Sequence, residues 1–188
     1  MVPSDLRQYV RTYPGDLAPG FCRQLVANFE RAGELLRANG SSVRLGLEQS
    51  AWTELDLSAV SDAAFKGFFL DRIAKGLDRY NQDLGLKIPI PFTGRTAELI
   101  VKRYRVGGGE RFQLHFDSIN QVANRYLVFL WYLNDVAEGG ETEFPDLDLR
   151  VAPQAGTLLI FPPFWMYQHQ ALPPRSTDKY ILSTYLLF

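Results

Sequence analysis

Tyr126-Leu127-Val128-Phe129-Leu130-Trp131-Tyr132-Leu133 is the longest apolar run in the chain, and its reading decides the fold. Eight residues fall far short of the roughly 20 needed to cross a bilayer but suit one strand. Side chains alternate along a strand, so a run that is apolar at every position is covered on both faces. One face meets a partner sheet and the other meets helices. Downstream and just upstream, strands are expected at 99–106, 111–117, 141–144, 149–152, 157–161, 166–171 and 179–188. They are separated by Gly107-Gly108-Gly109, which reads as a hairpin turn, and by Gly139-Gly140, Pro162-Pro163 and Pro173-Pro174. Short strands divided by such turns predict an antiparallel sandwich or jelly roll. The helices lie further upstream. Pro19 opens one carrying Phe21, Leu25 and Phe29, and Ser58 or Ser61 caps a longer one carrying Phe65, Phe68, Phe69, Ile73, Leu77 and Tyr80 on one broad face. The expected class is α+β, mainly β, in one domain over 1–188: residues 1–92 are mainly helical support, and 93–188 form the jelly-roll core.

Bulk properties narrow the function. The 188 residues are 46% apolar and 13% aromatic, as in a folded globular domain. Lys and Arg number 20 against 21 Asp and Glu, a net charge of -1, so no basic field argues for nucleic acid or an anionic membrane. A single cysteine, Cys22, permits no internal disulfide, which fits a reducing cytoplasm, and the first ten residues lack the apolar core of a secretion signal. Cys22 falls on the apolar side of the first helix and is expected to be buried and inert.

The chain has two histidines, and the first opens His115-Phe116-Asp117. On a strand, residues two apart share a face, so His115 and Asp117 can reach one ion and His169 can complete the set from a neighbouring strand. Two imidazoles and a carboxylate leave positions open on an octahedral ion, the arrangement of non-haem Fe(II) oxygenases. The competing reading of each histidine is an ordinary structural residue.

From Lys102 onward several features in order resemble the 2-oxoglutarate- and Fe(II)-dependent dioxygenases, in their prolyl 4-hydroxylase-like branch. They are Tyr104 before a glycine-rich turn, His115-Phe116-Asp117, Trp131-Tyr132-Leu133-Asn134, Gly139-Gly140-Glu141-Thr142-Glu143-Phe144-Pro145, Gly156 leading to Phe161, His169, and Lys179 ten residues later. The resemblance covers about the last 90 residues. It implies a double-stranded β-helix that binds Fe(II) through His115, Asp117 and His169, with 2-oxoglutarate and O2 as cosubstrates and ascorbate as an accessory reductant. It further implies that Lys179 meets the distal carboxylate of 2-oxoglutarate, with Tyr104, Tyr132 and Ser183 as further contacts. Arg175 is the alternative cation, and the two tyrosines and the serine also read as plain core or surface residues.

The implied reaction hydroxylates an aliphatic C–H, in a prolyl residue of a peptide or protein, or alternatively in a free amino acid or other small molecule. A non-catalytic jelly-roll module holding a metal or carbohydrate is the reading from another class. Strand alternation puts Arg111 and Gln113 with His115, and Lys102 with Tyr104, at the mouth of the site, where they would favour a polar or acidic substrate; the same charges also read as surface pairs. Phe164, Trp165 and Tyr167 are candidates to pack on a proline ring. Residues 41–52 and 118–124 are candidate lids by position.

Overall fold

Strand β6 (Arg125–Tyr132) sits where the apolar run predicts, and its last six residues are all buried. The computed structural model describes residues 5–41 and 46–188. Leu127, Phe129 and Trp131 enter one core, and Val128, Leu130 and Tyr132 enter a second. The alternation thus resolves into two separate apolar layers, one on each side of one sheet.

Eleven strands are assigned among the described residues: β1 (Arg11–Tyr13), β2 (Arg37–Gly40), β3 (Ala51–Asp56), β4 (Ile100–Tyr104), β5 (Phe112–His115), β6, β7 (Thr142–Phe144), β8 (Leu149–Val151), β9 (Leu158–Phe161), β10 (His169–Ala171) and β11 (Lys179–Leu187). They form a seven-stranded sheet in the order β1-β9-β6-β11-β4-β3-β2 and a four-stranded sheet in the order β5-β10-β7-β8. All the strand pairs are antiparallel. This is the expected jelly roll.

Helices α1 (Pro19–Glu30) and α3 (Ala63–Leu84), with the short α2 (Leu57–Val60) between them, supply the outer layer. Phe29, Phe69, Ile73, Leu77 and Tyr80 pack there against Phe129, Trp131, Leu158 and Leu182. Gly76 lets α3 approach closely: a Cβ at this position would lie 3.0 Å from Leu158 Cδ2 and 3.4 Å from both Ile160 Cδ1 and Phe129 Cε1. The cap of α3 is Asp62 rather than Ser58 or Ser61. Its carboxylate accepts from the Phe65 N–H at 2.8 Å, where a negative charge also complements the helix dipole. Ser61 instead ends α2, and the Ser58 hydroxyl accepts from the Leu99 N–H.

Three other expectations need correction. The N-terminal half is not helical support alone, because β1 completes one edge of the large sheet and β2 and β3 complete the other. These strands are short, and Arg37-Ala38-Asn39-Gly40 has no apolar alternation to betray it. Gly107-Gly108-Gly109 does not close a hairpin, since it links β4 of one sheet to β5 of the other. Finally, β10 begins only at His169, and Trp165–Tyr167 is a turn of 3-10 helix.

Candidate metal centre and its pocket

His115 ends β5 and His169 begins β10, and the two are directly paired across the small sheet. Their ring centroids are 4.3 Å apart. Asp117 lies just beyond β5 rather than on it. The chain turns there because the N–H groups of Asp117 and Ser118 both donate to the Pro163 carbonyl at 3.0 Å. This bend, not strand alternation, brings the carboxylate to the imidazoles: Oδ1 is 3.5 Å from His115 Nε2 and Oδ2 is 3.4 Å from His169 Nε2. One ligand atom from each of the three residues lies within 4.8 Å of the others.

The imidazoles are oriented by the backbone. His115 Nδ1 is 2.7 Å from the Gln113 carbonyl, and His169 Nδ1 is 3.0 Å from the Tyr167 carbonyl. A carbonyl accepts only, so each Nδ1 carries a proton and each Nε2 is turned toward Asp117, the orientation ligating histidines require. Burial, reinforced by the nearby His115 and opposed by Asp117, lowers the His169 imidazolium to about 4, leaving the ring neutral near pH 7. Burial alone would raise the Asp117 carboxyl, but His169, His115 and Arg125 together hold it well below the usual carboxylate range. Two neutral imidazoles and a carboxylate are the donor set an Fe(II) ion takes.

The triad forms one wall of a cavity that is also lined by Tyr104, Thr142, Lys179, Ile181 and Ser183. Lys179 opens β11 opposite Tyr104 of β4, is fully buried, and its Nζ has no hydrogen-bond partner among the described residues. Its ammonium lies 5.4 Å from the centre of the Tyr104 ring and 5.6 Å from that of Tyr132. Burial lowers Lys179 to about 7, against the opposing pull of Glu141. A buried cation with no partner is costly unless an anion joins it, so this end of the cavity suits an anionic group. Arg175, the alternative cation, is exposed on the turn before β11.

Tyr132 has its ring beside Lys179 but does not itself line the cavity. Its hydroxyl donates to Thr142 Oγ1 at 2.7 Å, and it is Thr142 that lines the cavity. Thr142 went unread in the sequence, although it stands inside Gly139-Gly140-Glu141-Thr142-Glu143-Phe144-Pro145. Tyr185 was also missed; its hydroxyl donates to Asp117 Oδ1 at 3.0 Å. Its position two residues after Ser183 on one strand face was the available signal.

The residues read as lining the mouth separate in the structure. Lys102 lines both the cavity and an adjoining groove, with Nζ 5.6 Å from the ring centres of Trp52 and Phe112. Gln113 and Arg111 do not face the metal centre. The register shifts between the His169–His115 and Ala171–Phe112 pairs, two residues on β10 against three on β5, which puts Phe112 on the side of His115. Phe112 stacks on the His115 ring at 3.7 Å. Gln113 instead accepts from the Gln49 N–H and donates to the Gly46 carbonyl, while Arg111 donates to the Gln49 carbonyl. They fasten the end of the segment read as a lid, of which residues 42–45 lie outside the described residues. Trp52, at its other end, is buried in β3. In the second candidate lid, Ser118 Oγ donates to the Ala123 carbonyl across a turn of 3-10 helix at Asn120–Val122.

Trp165 is 67% exposed, whereas Tyr167 is buried in the inner core, its hydroxyl pushed up to about 12 by desolvation, and does not offer itself to a ligand. The groove beside the cavity is lined by residues of β2, β3, β4 and β11 of the large sheet. It carries Glu34, Glu54, Asp56 and Glu98 as well as Arg37, Lys102 and Arg125. Its sign is mixed, so an acidic substrate has no electrostatic preference there.

Comparison with known proteins agrees with this geometry. Residues 99–187 match the model of the 2OG-Fe(II) oxygenase superfamily. Prolyl 4-hydroxylase subunit alpha-1 of Rattus norvegicus is 31% identical over 149 residues, covering 68% of this chain and 26% of the relative. The chain therefore spans about a quarter of that relative's length. Among solved structures, a Trichoplax adhaerens prolyl hydroxylase in complex with a hypoxia inducible factor oxygen degradation domain peptide fragment superposes with a TM-score of 0.71. It is 16% identical, and the match covers 96% of this chain and 84% of that one. The viral collagen prolyl hydroxylase of Paramecium Bursaria Chlorella virus-1, a 2OG complex, gives a TM-score of 0.62 at 19% identity, covering 94% of each chain. Fe(II) and 2-oxoglutarate are the metal and cosubstrate of the matched superfamily, and the donor set and buried ammonium both fit them. Residues 99–187 thus match the 2OG-Fe(II) oxygenase superfamily, and the chain has the jelly-roll fold seen in these prolyl hydroxylase structures.

Proposed function

We propose that this protein is an Fe(II)- and 2-oxoglutarate-dependent dioxygenase that hydroxylates a prolyl residue in a peptide or protein. The observation that carries it is one cavity holding both a His115–Asp117–His169 triad and a buried Lys179 ammonium with no partner of its own. In this reading the triad holds the iron, Lys179 takes the distal carboxylate of 2-oxoglutarate, and Ser183 and Thr142 present hydroxyls beside it. Bound Fe(II) would supply the activation of dioxygen, one oxygen atom going to succinate as 2-oxoglutarate loses carbon dioxide and the other to the substrate carbon. The chain itself orients and excludes water. Tyr104, Ile181 and Phe161 close the cavity on its apolar side, and the Nδ1–carbonyl bonds keep both imidazoles aimed at the ion.

A peptide is supported by the open groove beside the cavity, and by the peptide bound to the Trichoplax relative of this fold. The exposed Trp165 is retained as a candidate substrate contact. A module that only held a metal or a carbohydrate would have no use for Lys179 in a closed interior. The single free cysteine supports a reducing, cytoplasmic setting, in which ascorbate would serve as accessory reductant.

The test is a succinate assay with Fe(II), 2-oxoglutarate and a library of prolyl peptides, read in parallel by mass spectrometry. The expected result is succinate formation coupled to the gain of one oxygen on a prolyl residue. Oxygen gained only by free amino acids would overturn the peptide assignment and leave the oxygenase intact; succinate formation absent throughout would overturn both.

A further inference from the structure

Asp117 has two carboxylate oxygens, and the protein treats them differently. Each faces an imidazole, Oδ1 at 3.5 Å from His115 Nε2 and Oδ2 at 3.4 Å from His169 Nε2, but it is Oδ1 that accepts the Tyr185 hydroxyl, at 3.0 Å. Tyr185 is itself held. The Arg125 guanidinium lies over its ring at 3.9 Å, and Arg125 Nη1 donates to the Asp117 backbone carbonyl at 3.3 Å. Arg125 opens β6 and Tyr185 lies near the end of β11, strands that pair side by side, so the two side chains clasp Asp117 from neighbouring strands. Asp117 needs such a clasp because it stands on a bend beyond β5, without the ladder bonds that fix His115 and His169.

The consequence concerns how many positions of an ion the carboxylate takes. An octahedral ion offers six; two imidazoles and one carboxylate oxygen leave three, enough for a chelating 2-oxo acid and dioxygen. A carboxylate binding through both oxygens would leave only two. Resting on the metal-site reading above, we propose that Tyr185 is a positioning residue: its hydroxyl holds Oδ1 of Asp117 so that Oδ2 alone serves the ion. Arg125 keeps the phenol in place. Neither residue touches the reacting atoms in this assignment; both act through Asp117.

The probe is Co(II), titrated into the metal-free chain by calorimetry and followed by its visible d–d absorption, which reports coordination number and symmetry. The wild type should bind one Co(II) per chain. Tyr185→Phe keeps the ring and its packing, so the metal-free melting midpoint should hold. Its Co(II) Kd should rise about 10- to 100-fold, in line with loss of a group that orients a metal ligand, and the d–d spectrum should change. Arg125→Met, at a partly exposed position, should move the same two readouts in the same direction by less. A folded Tyr185→Phe chain with the wild-type Kd and spectrum would overturn the assignment. If that variant fails to fold, the wild-type Kd and spectrum in Arg125→Met would do so. Failure of the wild type to bind Co(II) would overturn the metal-site reading itself, an outcome distinct from either.

Discussion

The two faces of the large sheet are made from the same strands yet serve opposite ends. Along β11, Tyr180, Leu182 and Leu186 enter the helix-covered core, while Lys179, Ser183 and Tyr185 face the barrel. The outer face is mainly apolar, with Thr184 donating to the Ala97 carbonyl, and each apolar residue there adds to stability. The inner face buries Lys179 and Ser183 in a cavity that Asp117 and His169 enter from the small sheet, groups that cost folding free energy unless partnered. The lesson is that one β-strand can carry chemistry on its odd positions and stability on its even ones, provided other elements cover the two faces separately.

The comparison predicts that mutations on the two faces fail in different ways. The largest effect belongs to the cavity that the inner face lines, at a residue the small sheet contributes. His169→Ala should abolish Fe(II)-dependent succinate formation to below detection, because a ligand is lost rather than weakened, while the urea midpoint of the metal-free protein changes little. Retained turnover would break the contrast at its centre. Next in size is the outer face. Phe129→Ala, in the layer beneath α3, should cost roughly 3–5 kcal/mol of stability by chemical denaturation. The fraction that remains folded should keep its 2-oxoglutarate KM.

How far the sequence disclosed these two faces depended on whether the pattern was local. Eight consecutive apolar residues made β6 readable, and the spacing of Phe65, Phe69, Ile73 and Leu77 made α3 readable, since each pattern lies within one element. The triad could be named because His115 and Asp117 are close in sequence and the chain has only one other histidine. The geometry that joins them was not legible. Asp117 reaches the site through a bend tied to Pro163, and the β5 irregularity swaps Gln113 for Phe112 beside His115. Both depend on contacts with β10 and the loop before it, which no local pattern encodes. Short edge strands such as β2 escaped for the same reason.

A third prediction sharpens the contrast at one residue. Lys179→Met removes a buried charge and keeps most of the stem, so it should stabilise the protein in the absence of cosubstrate while weakening 2-oxoglutarate. Loss of a buried, charge-assisted contact is worth about 2–5 kcal/mol, which corresponds to a rise in KM of roughly 30-fold or more. Co(II) affinity should stay within about twofold, because Lys179 is not among the three residues that could hold the ion. A variant that is less stable than wild type and has an unchanged KM would show that Lys179 is a structural residue with a hidden partner.

The smallest effect is a pH dependence that isolates the same lysine. Burial lowers folded Lys179 from 10.5 to about 7, so between those values the unfolded chain binds more protons than the folded one. Stability contributed through this group therefore rises with pH across that window, and the full cost of the buried ammonium is felt at and below pH 7. The buried tyrosines act in the opposite sense above pH 10, because their hydroxyls are held protonated in the fold. The useful range is accordingly pH 7 to 9, and the useful quantity is the stability difference between Lys179→Met and wild type without metal or cosubstrate, which cancels the groups they share. That gap should favour the variant at pH 7 and narrow by roughly 1 kcal/mol per pH unit as wild-type Lys179 loses its proton. Adding 2-oxoglutarate with Co(II) should reverse the sign of the gap, since the bound carboxylate raises the lysine again and stabilises only the wild type. A gap that is flat from pH 7 to 9 would mean that Lys179 keeps its charge in the empty cavity, and the inner face would then lose its claim to be costly at the position where the cost is expected to be greatest.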